Sequence, residues 1–97
     1  MIRHVVVIAW RDETSAEQKA QVSAGLATLP PLMRGLLSYS FGPDAGVTQG
    51  NADFAIVADF ADAESYVAYR DHPAHAELIK TVIAPIARSR TAVQFEV

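Results

Sequence analysis

The hydrophobic period along this chain runs in an order that few folds can satisfy: two, then about 3.6, then two twice over, then 3.6, then two again. Arg3 to Trp10 is rich in Val and Ile. Together with Ile2, its even positions put Ile2, His4, Val6, Ile8 and Trp10 on one face, while Val5, Val7 and Ala9 occupy the other, so both faces read as covered. Asp12 to Ser15 is polar and offers two helix starts, Thr14 with Glu17 or Ser15 with Gln18, each a capping box. The helix that follows runs to about Leu29 with Val22, Leu26 and Leu29 on one stripe, and Pro30-Pro31 breaks it. Gly35 to Phe41 predicts a second strand, and residues 42 to 51, GPDAGVTQGN, a loop. Asp53 to Phe60 predicts a third strand, with Phe54, Ile56, Ala58 and Phe60 on one side and Ala55, Val57 and Asp59 on the other. Asp62 caps a second helix through about Arg70. Pro73 suits the first turn of a third helix, where a missing N–H costs nothing; Leu78, Ile79, Val82, Ile83 and Ile86 form its apolar face, and Pro85 should kink or end it. Thr91 to Val97 closes the chain as a strand, Thr91, Val93, Phe95 and Val97 alternating with Ala92, Gln94 and Glu96.

The order is β-α-β-β-α-β with the second helical segment split in two. That is the ferredoxin-like α+β arrangement, with a four-stranded antiparallel sheet. A length of 97 residues fits one domain over 1–97, with a core of marginal size. Helices cover one face of such a sheet. The apolar residues of the other face would be wet in a lone chain, and a second copy stacking its own sheet there would cover them, so a homodimer is expected.

Eight Lys and Arg against eleven Asp and Glu give a formal charge of −3, and the basic residues form no run. This argues against a nucleic-acid partner, which calls for a basic patch. With no cysteine, the chain has no disulfide, no thiolate nucleophile and no cysteine-based zinc site. The apolar start, MIRHVVVIAW, is too short for a membrane span and lacks a signal-peptide layout. The expectation is a cytoplasmic protein with no membrane partner.

The stretch YRDHPAHAEL, residues 69 to 78, concentrates the polar chemistry. If Pro73 opens a helix, His75 lies in its first turn, where the positive end of the helix dipole disfavours an imidazolium. A neutral imidazole accepts a proton or donates a hydrogen bond near neutral pH; Asp71 pushes the other way. Tyr69 offers a phenol to a carbonyl or a developing oxyanion. His4 is distant in sequence, but the strand and helices of this fold pack face to face, so the three groups could meet at one end of a pocket. Structural readings stand beside these: His72 as an N-cap or surface residue, His75 as a satisfied helix-start histidine, His4 as a hydrogen-bonded core residue, and Tyr69 as packing with its hydroxyl at the rim. His72 and His75 at i, i+3 with His4 would make a metal site, but His72 falls outside the helix and no acidic ligand spacing supports it, so no metal is expected. Glu13, Glu17, Glu64 and Glu77 read as solvated helix charges, and Trp10 as a core or interface aromatic.

Taken together, RHVVVIAWRDETSAEQ, the central GPD and AYRDHPAHAEL resemble the stress-responsive A/B barrel proteins, the Dabb family, from Ile2 to Val97. A first-strand histidine followed later by Tyr-x-x-His-Pro-x-His is similar to that family's motif. The resemblance implies a dimeric α+β barrel. One branch, which includes plant olivetolic acid cyclase, closes linear polyketides by intramolecular aldol condensation without a cofactor. Its catalytic positions correspond to His4, Tyr69 and His75, and each holds the residue type that branch uses. The resemblance therefore implies a cofactor-independent acid–base site for a small apolar, aromatic or polyketide ligand. The alternatives are a non-catalytic, stress-related oligomer that binds ligands or proteins, and a small monooxygenase or isomerase of the related barrel enzymes.

Overall fold

A computed structural model describes all residues from Met1 to Val97. Strands β1 (Ile2–Trp10), β2 (Leu36–Pro43), β3 (Phe54–Phe60) and β4 (Ala87–Glu96) form one sheet in the order β2-β3-β1-β4. All neighbouring strands are antiparallel. Helices α1 (Ala16–Ala27), α2 (Ala63–Asp71) and α3 (Pro73–Leu78) pack on one face. This is the ferredoxin-like arrangement that the order of periods predicts.

Local chemistry sets the boundaries. Ser15 begins α1 as a complete capping box, its side chain accepting from the Gln18 N–H at 3.1 Å while Gln18 accepts from the Ser15 N–H at 2.9 Å. Of the two starts open in the sequence, this one forms. Asp62 caps α2 by accepting from the Ser65 N–H at 2.8 Å. Two strands run longer than their alternation indicates. β2 continues through Gly42 and Pro43, which is tolerable because β2 is an edge strand and the missing proline N–H breaks no ladder bond. β4 begins at Ala87 rather than Thr91: Arg88, Ser89 and Arg90 carry no apolar alternation, yet Ser89 and Arg90 pair with Ala9 and Ile8 of β1, and Arg88 falls at a bulge before the Ala87–Trp10 pair. The third helix does not stay α-helical to its end. Residues Ile79–Ile83 form a π turn closed by the Ala84 N–H on the Ile79 carbonyl at 2.8 Å. Pro85 accounts for this, since its ring would collide with the carbonyl four residues earlier in a regular α-helix.

The core lies between the helices and the even-numbered side of β1. Ile8, Phe60, Val22, Leu26, Leu29 and Ile83 are fully enclosed, and Trp10, Phe54, Ile56 and Ala58 join them. Trp10 is thus a core aromatic, packed 5.6 Å from the Phe54 ring. The opposite face of the sheet is bare within the chain. Val7 is 40% exposed, Val93 55% and Phe95 46%, so only one face of β1 is covered by the chain itself. A polar island interrupts this bare face: the Arg3 guanidinium donates to both oxygens of Asp59, at 2.7 and 2.9 Å, and Ser38 donates to Asp59 at 3.1 Å.

Gly35 leads into β2 with φ +75°, and a Cβ there would run into the Ser65 hydroxyl at the start of α2. Gly35→Ala is expected to destabilise the fold by about 1–3 kcal/mol, combining left-handed backbone strain with overpacking. A urea midpoint unchanged from wild type would show that this junction yields freely.

Candidate functional site

The His-Pro-x-His segment is explained by the helix break it makes. In a continuous helix the Ala74 N–H would bond the Arg70 carbonyl. Pro73 removes the preceding donor, and the His72 backbone is extended, so α2 stops at Asp71. The Ala74 N–H turns instead to His72 Nδ1 at 3.0 Å. The Arg70 carbonyl, left without its helical partner, takes His75 Nδ1 at 3.1 Å. One histidine therefore caps the new helix and the other caps the old one. The second bond has a chemical consequence. A carbonyl oxygen only accepts, so His75 Nδ1 carries the ring proton and Nε2 keeps the lone pair.

Tyr69 stands between the two remaining imidazoles. Its ring centroid is 4.3 Å from that of His75 and 6.0 Å from that of His4. Tyr66, one helical turn earlier, lies 4.8 Å from His4. The Tyr69 ring is 2% exposed, and its hydroxyl is 2.8 Å from the Tyr39 hydroxyl on β2. His4, 6% exposed, has Gln94 Nε2 of β4 at 2.8 Å from Nδ1. With the amide N–H as donor, the His4 proton lies on Nε2. The structure thus brings His4, Tyr69 and His75 together, and all three line one cavity of about 550 Å³ between the inner sheet face and the helices. Val6, Ile8 and Ile56 give the cavity an apolar floor, and Ile79 and Ile83 of the π turn line it opposite. That volume is typical of a small-molecule site, for which about 300–1,000 Å³ is usual. His72 does not line it, and no group of three or more His, Asp or Glu side chains is arranged to hold a metal ion.

Burial fixes the protonation states. Desolvation, with a lesser contribution from the nearby His75 ring when it takes a proton, pushes His4 down to about 4. Desolvation also lowers His75, opposed by the bond to the Arg70 carbonyl and aided by the positive charge of Arg90. Both imidazoles are neutral near pH 7. The Tyr69 phenol is pushed well above its ordinary value, chiefly by desolvation and then by Tyr39, so it is a donor and not a phenolate.

Four participants escape a reading of the sequence. Tyr66 and Tyr69 do share a helix face at i, i+3, which is a usable signal for Tyr66. Tyr39 on β2 meets α2 only through tertiary packing. Gln94 and Arg90 point inward because they stand opposite His4 and Ile8, a register that neither strand encodes alone.

A ferredoxin-like sheet with helices on one face, and between them a cavity holding two neutral imidazoles and a phenol, defines a small α+β protein with a ligand-sized polar-ended pocket. The stress responsive A/B barrel domain, Dabb, matches residues 2–97, and the chain belongs to that family. A dimeric ferredoxin-like protein of unknown function from Thermobifida fusca is 41% identical, with a TM-score of 0.92 over 99% of this chain and 90% of that one. A Dabb protein with a ferredoxin-like fold from Mesorhizobium loti is 19% identical, with a TM-score of 0.81 over 99% and 95%. A hydroxynitrile lyase from Passiflora edulis is 17% identical, with a TM-score of 0.84 over 99% and 92%, and shares the fold. No functionally curated protein matches the chain.

Proposed function

We propose that this protein is a cofactor-independent acid–base catalyst of the polyketide cyclase type, acting on a small carbonyl compound held in the cavity. The observation that carries the reading is that His4, Tyr69 and His75 line a single cavity, with His75 held in the tautomer that leaves Nε2 basic. His75 Nε2 removes a proton from a carbon flanked by two carbonyls. The resulting enolate carbon attacks a second carbonyl of the same molecule, one C–C bond forms, and the carbonyl π electrons move to oxygen. Tyr69 donates a hydrogen bond to that oxygen as charge develops, and the proton held by His75 returns to it. His4 donates from Nε2 and orients the substrate. The aldol step is redox-neutral and needs no co-reactant; loss of water from the adduct and enolisation of the remaining carbonyls then give the aromatic ring.

The test is incubation with linear tetraketide thioesters of varied tail length, following aromatic absorbance and the retention time of the product. Cyclisation faster than in buffer, slowed by Tyr69→Phe with binding retained, is the expected result. A rate equal to buffer across the series would remove the cyclase reading. One observation favours binding without turnover as the second reading: the Tyr69 hydroxyl and His4 Nδ1 already have protein partners.

The catalytic chain is proposed to work as a homodimer, the bare faces of two sheets stacked on each other. The exposed Val7, Val93 and Phe95, and the dimeric state given for the Thermobifida fusca protein, support this. Stacked sheets stand about 10 Å apart, and a carboxylate buried there without a partner such as the Arg3 that pairs Asp59 is costly. Val93→Asp is therefore expected to give a monomer at micromolar concentration by light scattering, whereas Thr81→Asp, on the helical side, leaves the dimer intact. A Val93→Asp protein of dimeric mass would place the interface elsewhere.

A further inference from the structure

The cavity is lined by basic side chains that the acid–base chemistry does not use. Arg70, Lys80 and Arg90 all line it, and no Asp or Glu does. The chain as a whole carries a net charge of −3, so this is not a reflection of composition. Arg70 is already committed, donating to both oxygens of Asp71 at 2.9 and 3.1 Å. Lys80 and Arg90 have no carboxylate within ion-pair distance; the three ion pairs of the molecule are Arg3–Asp59, Arg70–Asp71 and Arg88–Asp12. The neighbouring Arg88 finds such a partner and Arg90 does not. Arg90 stands opposite Ile8 on β4, and Ile8 points into the core, so the Arg90 side chain leaves the sheet on the cavity side. Lys80 belongs to the π turn that lines the cavity across from the sheet. The two cations thus come from opposite walls. Arg90 is close enough for its charge to act on His75.

Resting on the acid–base reading, we infer that the ligand is a carbonyl compound bearing an anionic group, a carboxylate by preference, which Lys80 and Arg90 hold at the cavity mouth while the apolar body lies on Val6, Ile8 and Ile56. Charge-assisted bonds from an ammonium and a guanidinium are stronger than neutral ones, and the guanidinium fork matches a carboxylate in a bidentate way. The same anion, fixed at the mouth, would set which carbon of the chain reaches His75 and Tyr69. A phosphate-bearing ligand presents the same chemistry and is distinguished by its own arm of the test.

The experiment compares 2,4-dihydroxybenzoate with 2,4-dihydroxybenzamide by calorimetry on the full chain, with inorganic phosphate as competitor. The benzoate is expected to bind about tenfold or more tightly than the amide, with affinity falling as salt is raised. The preference should vanish in Lys80→Gln/Arg90→Gln, whose side chains are exposed and whose fold is checked by circular dichroism, and persist in His75→Ala. Equal affinities, binding of neither compound at millimolar concentration, or a preference that survives the double variant overturns the inference. Phosphate displacing the benzoate at lower concentration than benzoate itself binds overturns the carboxylate preference. An anion preference without any turnover keeps the charged mouth and discards the cyclase chemistry, so the two readings fail separately.

Discussion

Replacing His75 with alanine is expected to lower kcat on a cyclisable substrate by about a hundredfold to ten-thousandfold, the range that a positioned general base supplies. One bond underlies this expectation. His75 Nδ1 donates to the Arg70 carbonyl, which leaves Nε2 basic, and burial keeps the ring unprotonated at neutral pH. The substitution also frees the Arg70 carbonyl, at a cost of about 0.5–1.5 kcal/mol in stability, which does not unfold a two-state domain. His72→Ala is the matched control. It removes the Ala74 cap and costs about 1 kcal/mol, yet His72 is outside the cavity, so kcat should stay within a few-fold. The pH profile carries an independent sign. Because burial lowers His75, the acid limb of kcat/KM should fall below the ordinary histidine value of 6.5. Turnover by His75→Ala within twofold of wild type, or an acid limb above 6.5, would assign the base elsewhere.

The second large effect is on stability. His4 is held at about 4 in the folded chain against an ordinary 6.5. Its folded value is the lower one, so the unfolded chain binds the proton more readily. The neutral form's full contribution is therefore present above pH 6.5 and is lost as pH falls from 6.5 towards 4. The total loss is on the order of 3 kcal/mol, since each tenfold difference in proton affinity between the two states is worth about 1.36 kcal/mol. His75 is lowered as well and acts in the same direction. Urea midpoints between pH 7.5 and 4.5, at one fixed protein concentration, should show this decline. His4→Gln should flatten most of it. A wild-type midpoint constant over that interval would mean that the His4 ring is not desolvated as its surroundings indicate.

The mild acidity of the chain conceals both effects. Formal charge says nothing of where a neutral imidazole is enclosed, or of where two unpaired cations line one pocket. The same holds for association. The alternation of β1 and β4 shows apolar side chains on both faces, but which face the helices take is decided by Phe54, Ile56, Ala58 and Phe60 sharing the even side of β1. The remaining face, with Arg3, Asp59 and Ser38 as its polar island, is then the one the chain leaves bare.

Local physics in the sequence determined much of this protein by itself. The sequence of periods determined the order of strands and helices, because side chains repeat every two residues on a strand and about every 3.6 on a helix. Ser15, Asp62 and Pro73 determined where helices begin, because capping and proline geometry act within one turn. The motif of first-strand histidine and Tyr-x-x-His-Pro-x-His pointed to His4, Tyr69 and His75, and these do share a cavity. Other features were decided only by tertiary structure. The early start of β4 follows from the pairing of Ala87, Ser89 and Arg90 with β1, which their side chains do not advertise. Tyr39 reaches Tyr69 across 30 positions of sequence, and Gln94 reaches His4 across 90. The inward aim of Arg90 depends on the β1–β4 register, where a slip of one residue would send it to the opposite face. Contacts within a turn of chain are written in the sequence; contacts between elements exist only once the sheet register and the helix packing have been chosen.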